Sequence, residues 1–332
     1  MEYTKPHLSY DQQLDLLRLR GMAVPDQHYG LAALRRIGYY RLSAYTYPFR
    51  SRDEVGAVGD TFVDAADLDA VIALHDFDVK LRATLLAGLE AFELALRVQV
   101  AYTLGKRDTY GHLNADSALD SLRCGDAAAG DLQVTKYDVW LAKYEKRCQD
   151  STEEDFVRHF HTKYDGRLPV WVATEVMDLG LLVRLYSFMQ REDRRRIAGA
   201  FGVQRESVFR SWTVALNLMR NHCAHGDRIW NRSLVYLLPV FNTSLLDPRL
   251  AGLQGIEEFV RRKLYPNVAI LASTLSTIHP YTNWPRTFAT QAKKLPEGGP
   301  VTFAAMGFPP QWQQEPLWNY EPKKVSANPN PR

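Results

Sequence analysis

The stretch from Asp64 to Leu104 constrains this chain more than any other. Leu68, Ile72, His75, Val79, Arg82, Leu86, Leu89, Phe92, Leu96 and Val100 recur every three or four positions, and no proline interrupts them. That spacing draws one continuous stripe on a helix of 3.6 residues per turn. The segment therefore reads as one long helix, or as two with a break near Asp76-Phe77-Asp78. The rest of the chain must cover its apolar side. Glu90, Glu93 and Arg97 sit on one flank of it at i, i+3 and i+7. They form either a solvated ion-pair face or an acidic-basic patch that orients an arginine on a facing helix.

The remaining pattern is also helical. Ser9 to Gly21 carries Leu14, Leu16, Leu17 and Leu19, with Ser9 or Asp11 as cap. Further helices are expected near His28–Ile37, over Leu132–His161, from Pro169 to about Met189 with Gly180 as a weak point, and over Asp193–Phe201 and Glu206–His225. Ile256–Ile278 gives one more, kinked or split by Pro266. Gly105 to Gly130 reads as a loop with short helical pieces. No run of alternating strands and no internal repeat is visible, so the class is all-α.

From His279 onward the character changes. Ten of the seventeen prolines fall between Pro280 and Pro331, yet Trp284, Phe288, Phe303, Phe308, Trp312, Trp318 and Tyr320 lie there too. A disordered tail would be poorer in aromatics. The expectation is an irregular arm draped over the helical body or a partner chain. The organisation is then an N-terminal helical, aromatic segment (1–62), a helical bundle (63–279) and a Pro/aromatic-rich C-terminal arm (280–332).

With 332 residues, 46% hydrophobic and 24% charged, the composition is that of a globular protein with a sizeable core. Met1 to Tyr10 holds no apolar leader core, and no run of eighteen apolar residues suggests a membrane span. Cys124, Cys148 and Cys223 are scattered, which argues for a reducing, cytoplasmic setting. No Gly-rich phosphate loop, GxSxG elbow or dinucleotide fingerprint is present.

Charge is distributed unevenly. The chain carries +3 overall, but Gly180 to Arg232 holds ten arginines against four carboxylates, a net of +6. That local field suits a polyanion, although Arg191 to Arg196 also reads as a solvated turn between helices. Arg36 to Arg50 interleaves arginines with Tyr39, Tyr40, Tyr45, Tyr47 and Phe49. It is either a strip for stacking bases and gripping phosphates or an aromatic-packed helix ended by Pro48.

Within the basic region an apolar helix closes on Leu216-Asn217-Leu218-Met219-Arg220-Asn221-His222-Cys223-Ala224-His225-Gly226. A histidine near neutral pKa can take the proton of a ribose 2′-OH or return one to a leaving 5′-oxygen. A guanidinium can grip the scissile phosphate through two hydrogen bonds. The plain alternative is a helix end at which Gly226 supplies the left-handed cap. At about 100° per residue, Asn221 and His225 share a face while Arg220 lies roughly 140° from His225. The long arginine side chain, the helix end or a second copy of the site must close that gap. His222, Cys223 and His225 also invite a zinc reading, but adjacent ligands on a helix diverge and no second Cys/His pair sits at ligand spacing.

Four blocks, in order over residues 5 to 235, resemble the bacterial abortive-infection proteins of the AbiD/AbiF type, within the HEPN superfamily. They are Lys5-Pro6 with Arg36 to Arg50; His75 to Arg82 with Leu89 to Arg97; Pro169-Val170-Trp171 with Glu175 and Gly180 to Tyr186; and Arg220 to His225 followed by Arg228-Ile229-Trp230-Asn231-Arg232. The resemblance implies a HEPN-like bundle and a metal-independent endoribonuclease in phage defence or toxin–antitoxin behaviour, without a cofactor. It implies Arg220, Asn221 and His225 as catalytic residues and a homodimer in which two such motifs make one site. RNA would be the partner, met by Tyr39, Tyr40, Arg41, Tyr45, Arg50, Arg184, Arg228 and Arg232. Two other readings stand beside it: an RNA-binding defence protein regulated by a small structured RNA without cleavage, and a helical interaction protein.

Overall fold

The computed structural model describes residues 6–125, 134–242 and 246–323. Helix α1 (Tyr10–Leu19) starts on a capping box, in which Ser9 and Gln12 each accept the other's backbone amide. Asp26 caps α2 (Gln27–Ile37) through the amide of Tyr29. Gly38, at φ +82°, turns the chain into α3 (Tyr39–Thr46), and a 3-10 turn containing Pro48 follows. A short antiparallel hairpin comes next, β1 (Arg50–Arg52) and β2 (Val58–Phe62), with Arg50 opposite Phe62. The sequence pattern contains no sign of these strands. Strands this short and polar carry too little alternation to register.

Helix α4 (Leu68–Arg107) runs unbroken for 40 residues, roughly 60 Å at 1.5 Å per residue. No break occurs at Asp76-Phe77-Asp78, because the buried Asp78 has donors waiting for it. Then come the single turns α5 (Ala115–Ala118) and α6 (Ser121–Cys124). The helix expected over Leu132–His161 is two, α7 (Lys136–Asp150) and α8 (Asp155–Lys163). Leu132 and Gln133 lie outside the described residues. A capping box between Thr135 and Asp138 starts α7, and the chain turns at Ser151, whose amide bonds the carbonyls of Arg147 and Cys148.

The single helix expected from Pro169 to Met189 is also divided, into α9 (Val170–Ala173) and α10 (Leu179–Phe188). Arg97 of α4 takes the carbonyls of Thr174 and Met177, and Asp178 caps α10 through the amide of Leu181. Side chains thus satisfy the backbone groups that a continuous helix would have paired. Helices α11 (Arg191–Ala200) and α12 (Glu206–Ala224) follow, then α13 (Glu258–Arg261) and α14 (Leu264–Ile278). Pro266 sits in the first turn of α14, where a missing N–H breaks no helical bond.

The C-terminal region is less irregular than expected. It contains α15 (Trp284–Ala292), with Pro285 in its first turn, and 3-10 turns that carry Met306 and Trp312. The Trp284 indole donates to the carbonyl of Thr84 at 2.9 Å. Its ring lies over Gly88 so closely that a Cβ there would stand 2.3 Å from it. Phe288, Phe308, Trp312 and Trp318 are buried together behind it.

Helices α3, α9, α10, α11, α12, α14 and α15 all pack on α4. Leu85, Leu89, Phe92, Leu96 and Val100 of α4 are fully buried, each worth about 1.5–3 kcal/mol on transfer from water. Among the described residues no helix is long and apolar enough to cross a membrane. The molecule is an all-α bundle around one central helix, with the two-stranded hairpin as its only sheet among the described residues.

Candidate functional site

Trp212, Ala215, Leu216, Met219 and Cys223 form the buried stripe of α12, which leaves Arg220 and Asn221 on its flank. The helix ends in a Schellman arrangement. The Gly226 amide bonds the Cys223 carbonyl at 3.2 Å, and the Asp227 amide bonds that of His222 at 2.9 Å. Gly226 sits at φ +70°, where a side chain would be strained. The left-handed cap foreseen for Gly226 is therefore present, and it leaves His225 exposed at the helix end.

Arg220 turns the other way, toward α4. Its Nε lies 3.7 Å from Oε2 of Glu93, and its side chain is 35% exposed. The other oxygen of Glu93 accepts from Arg97 at 3.1 Å. Burial pushes the Glu93 carboxyl upward, and Arg220 and Arg97 oppose that shift. Asp178 stands near the same arginine. Burial raises its carboxyl, but the Leu181 amide and Arg147 outweigh it, and Arg220 adds to them, so it stays below the ordinary range. Of the two readings for Glu90, Glu93 and Arg97, the structure assigns Glu93 and Arg97 to the inter-helix patch and leaves Glu90 exposed.

The loop after the motif is fixed from beneath. Asp78, fully buried on α4, accepts from the Ile229 amide at 3.3 Å, the Trp230 amide at 2.8 Å and the Tyr45 hydroxyl at 2.7 Å, and pairs with Arg82. Burial pushes its carboxyl up, and these donors pull against it. Arg82 also donates to the Asp227 carbonyl at 3.2 Å, and Arg41 to the Gly226 carbonyl at 2.5 Å. His222 Nδ1 lies 2.8 Å from the Asp227 carboxylate, a hydrogen bond that holds Asp227 below the ordinary carboxylate range.

These placements sort the expected site residues. Arg220, Asn221 and His225 lie within the last turn and a half of one helix, but no hydrogen bond or ion pair joins Arg220 to His225 among the described residues. Tyr45 must be corrected. It is 1% exposed and holds Asp78, so its ring belongs to the core and offers no base a stacking surface. The helical period of α3 decides this, since Leu42, Tyr45 and Thr46 face inward while Tyr40 and Arg41 face out. Arg228 is corrected likewise, because its half-buried guanidinium is committed to the Ala44 carbonyl. Tyr39 accepts from Arg20, Arg50 pairs with Asp60, and Arg232 approaches Asp227 at 3.9 Å. Tyr40 is 91% exposed. Arg184 is exposed on α10, in a cleft beside α7.

The triad His222, Cys223, His225 does not converge. Cys223 is buried, His222 is bound to Asp227, and His225 faces solvent. Among the described residues no group of three His, Cys, Asp or Glu side chains could hold a metal ion. Sequence reasoning missed the roles of Asp78 and Arg82. The available signal was an acid and a base at i and i+4 on an apolar stripe, because charges buried there must be paired.

A family model described as Abi-like protein matches residues 32–231, from α2 through α12 to the loop that Asp78 holds. No curated protein and no solved structure gives a significant match. The family match covers well over half of the chain and ends just past the Arg220–His225 turn. The chain belongs to the Abi-like protein family, which points to a role in abortive infection, a bacterial defence against phage.

Proposed function

We propose that this chain is a metal-independent, HEPN-type endoribonuclease acting in phage defence, with Arg220, Asn221 and His225 as its catalytic residues. The observation that carries the reading is the end of α12. Arg220 is held by Glu93 yet still partly exposed, and His225 stands exposed on a rigid glycine cap at the same helix end. The nucleophile is the substrate's own 2′-OH. One histidine takes its proton as the new O–P bond forms, and the leaving 5′-oxygen takes a proton as the old bond breaks. The products are a 2′,3′-cyclic phosphate and a 5′-OH end. Arg220 offsets the charge on the pentacoordinate phosphorane, and Asn221 orients the phosphate. Asn221 and His225 make no side-chain hydrogen bond among the described residues, which suits groups kept free for a substrate.

Within one chain Arg220 and His225 point apart, so the reading requires a homodimer in which two helix ends share one substrate. The same divergence favours a second reading, an RNA-binding defence protein that holds a structured RNA and does not cut it. Incubating total cellular RNA with the protein in EDTA, beside His225→Ala and Arg220→Ala, separates the two. Loss of a general base typically costs roughly 10²–10⁴-fold, and loss of a transition-state donor about 10²–10³-fold. His225→Ala protein that cuts at the wild-type rate would sink the nuclease assignment. Light scattering on the purified protein tests the dimer.

A further inference from the structure

We infer that the cleft between α7 and α10 is a track for the RNA strand that reaches Arg220, an inference that rests on the nuclease or RNA-binding reading of that arginine. The cleft encloses about 770 Å³. Lys136, Lys143, Lys146 and Arg147 line it from α7, and Arg184 faces them from α10. Two carboxylates, Asp150 and Asp178, share the lining, and Asp178 is already paired with Arg147 at 2.7 Å. Lys136, Lys143, Lys146 and Arg184 are exposed and have no ion pair or side-chain hydrogen bond among the described residues. The three unpaired lysines of α7, Lys136, Lys143 and Lys146, extend over ten residue steps, about 15 Å along the helix axis. An unneutralised row of that length matches a polymer of regularly spaced negative charge.

The cleft also leads to the right place. Its lining includes Asp178 and Gly180, at the start of α10, where Arg147 of α7 meets Asp178. A Cβ on Gly180 would lie 3.2 Å from Asp178 Oδ1 and 3.7 Å from Asn217 Nδ2. Asn217 is one turn before Asn221 on the same face of α12, and the charge of Arg220 is felt at Asp178. A strand lying along α7 therefore runs onto the flank of α12 that carries Arg220. Val139, 44% exposed, gives the cleft an apolar side chain beside the cationic row.

The test compares Lys143→Gln/Lys146→Gln with the equally charged control Lys293→Gln/Lys294→Gln, all on a His225→Ala background so that RNA stays intact. Binding to labelled poly(U) is measured across a salt series, and poly-glutamate serves as the polyanion that is not RNA. The expected result is at least a tenfold loss of poly(U) affinity for the cleft variant and none for the control. The slope of log K against log salt should shrink by about 1.4, at roughly 0.7 for each single-strand phosphate that the two lysines no longer neutralise. Unchanged poly(U) affinity in a folded cleft variant overturns the inference, as does lysine-dependent binding of poly-glutamate without binding of poly(U). The two readings fail separately. Lysine-dependent RNA binding by a wild type that never cuts keeps the track and removes the nuclease. His225-dependent cutting that both lysine changes leave at full rate and affinity keeps the nuclease and removes the track.

Discussion

Glu93 on α4 and Arg220 on α12 approach to 3.7 Å, and Arg97 completes the group by holding Glu93 from the next turn. The Glu93 side chain is 14% exposed and that of Arg220 35%. On the proposed nuclease reading, Glu93 is a positioning residue that fixes where the arginine points. Glu93→Gln keeps the shape and removes the charge. We expect kcat for RNA cleavage to fall about tenfold with KM little changed, since misplacement of a catalytic group acts on the chemical step. Arg97 keeps the carbonyls of Thr174 and Met177, so the melting temperature should hold. A lowered melting temperature with kcat intact would assign Glu93 to stability alone.

Gly226 sets the direction of the chain just after His225. At φ +70° an added side chain costs about 1–2 kcal/mol, and its Cβ would lie 3.4 Å from Arg41 Nη1. Gly226→Ala should lower the melting temperature by a few degrees, and Gly226→Asn by less, because asparagine tolerates the left-handed region better. Equal melting of all three proteins would show that the turn relaxes freely.

Asp78 is the anchor of the loop that follows. Asp78→Ala leaves Arg82 buried without its partner and strips the acceptor from the Ile229 and Trp230 amides. Removing one side of a buried ion pair costs about 3–5 kcal/mol. Denaturant unfolding should show a loss of that size, and the Ile229 and Trp230 amides should exchange hydrogen faster if the native fold persists. Retained protection at both amides would contradict the anchoring role.

His112 is fully buried against Tyr144, and burial lowers its pKa from 6.5 to about 4. Between pH 6.5 and 4 the unfolded chain binds a proton that the folded one refuses. Stability is therefore whole above pH 6.5 and falls as pH drops toward 4, by about 3 kcal/mol for this group. His112→Gln should flatten that part of the pH–stability curve whatever its effect at pH 7. An unchanged slope would place the titration elsewhere.

Local chemistry was readable without a fold. The 3.6-residue stripe wrote α4, the polar cap at Ser9 started α1, and Gly226 announced the end of α12, because each depends on neighbours a few residues away. The turn that carries Arg220, Asn221 and His225 was legible as a helix end for the same reason. Tertiary structure decided what those groups face. Glu93 meets Arg220, and Asp78 meets Ile229 and Trp230, only because α12 and its loop pack on α4. Tyr45 turned inward and Tyr40 outward once α3 had a side against the core. The α7 lysines became a cleft only when α10 closed its other wall. Propensity and periodicity act over one or two turns of chain, whereas the pairing of charges across packed helices is fixed by which surfaces bury each other.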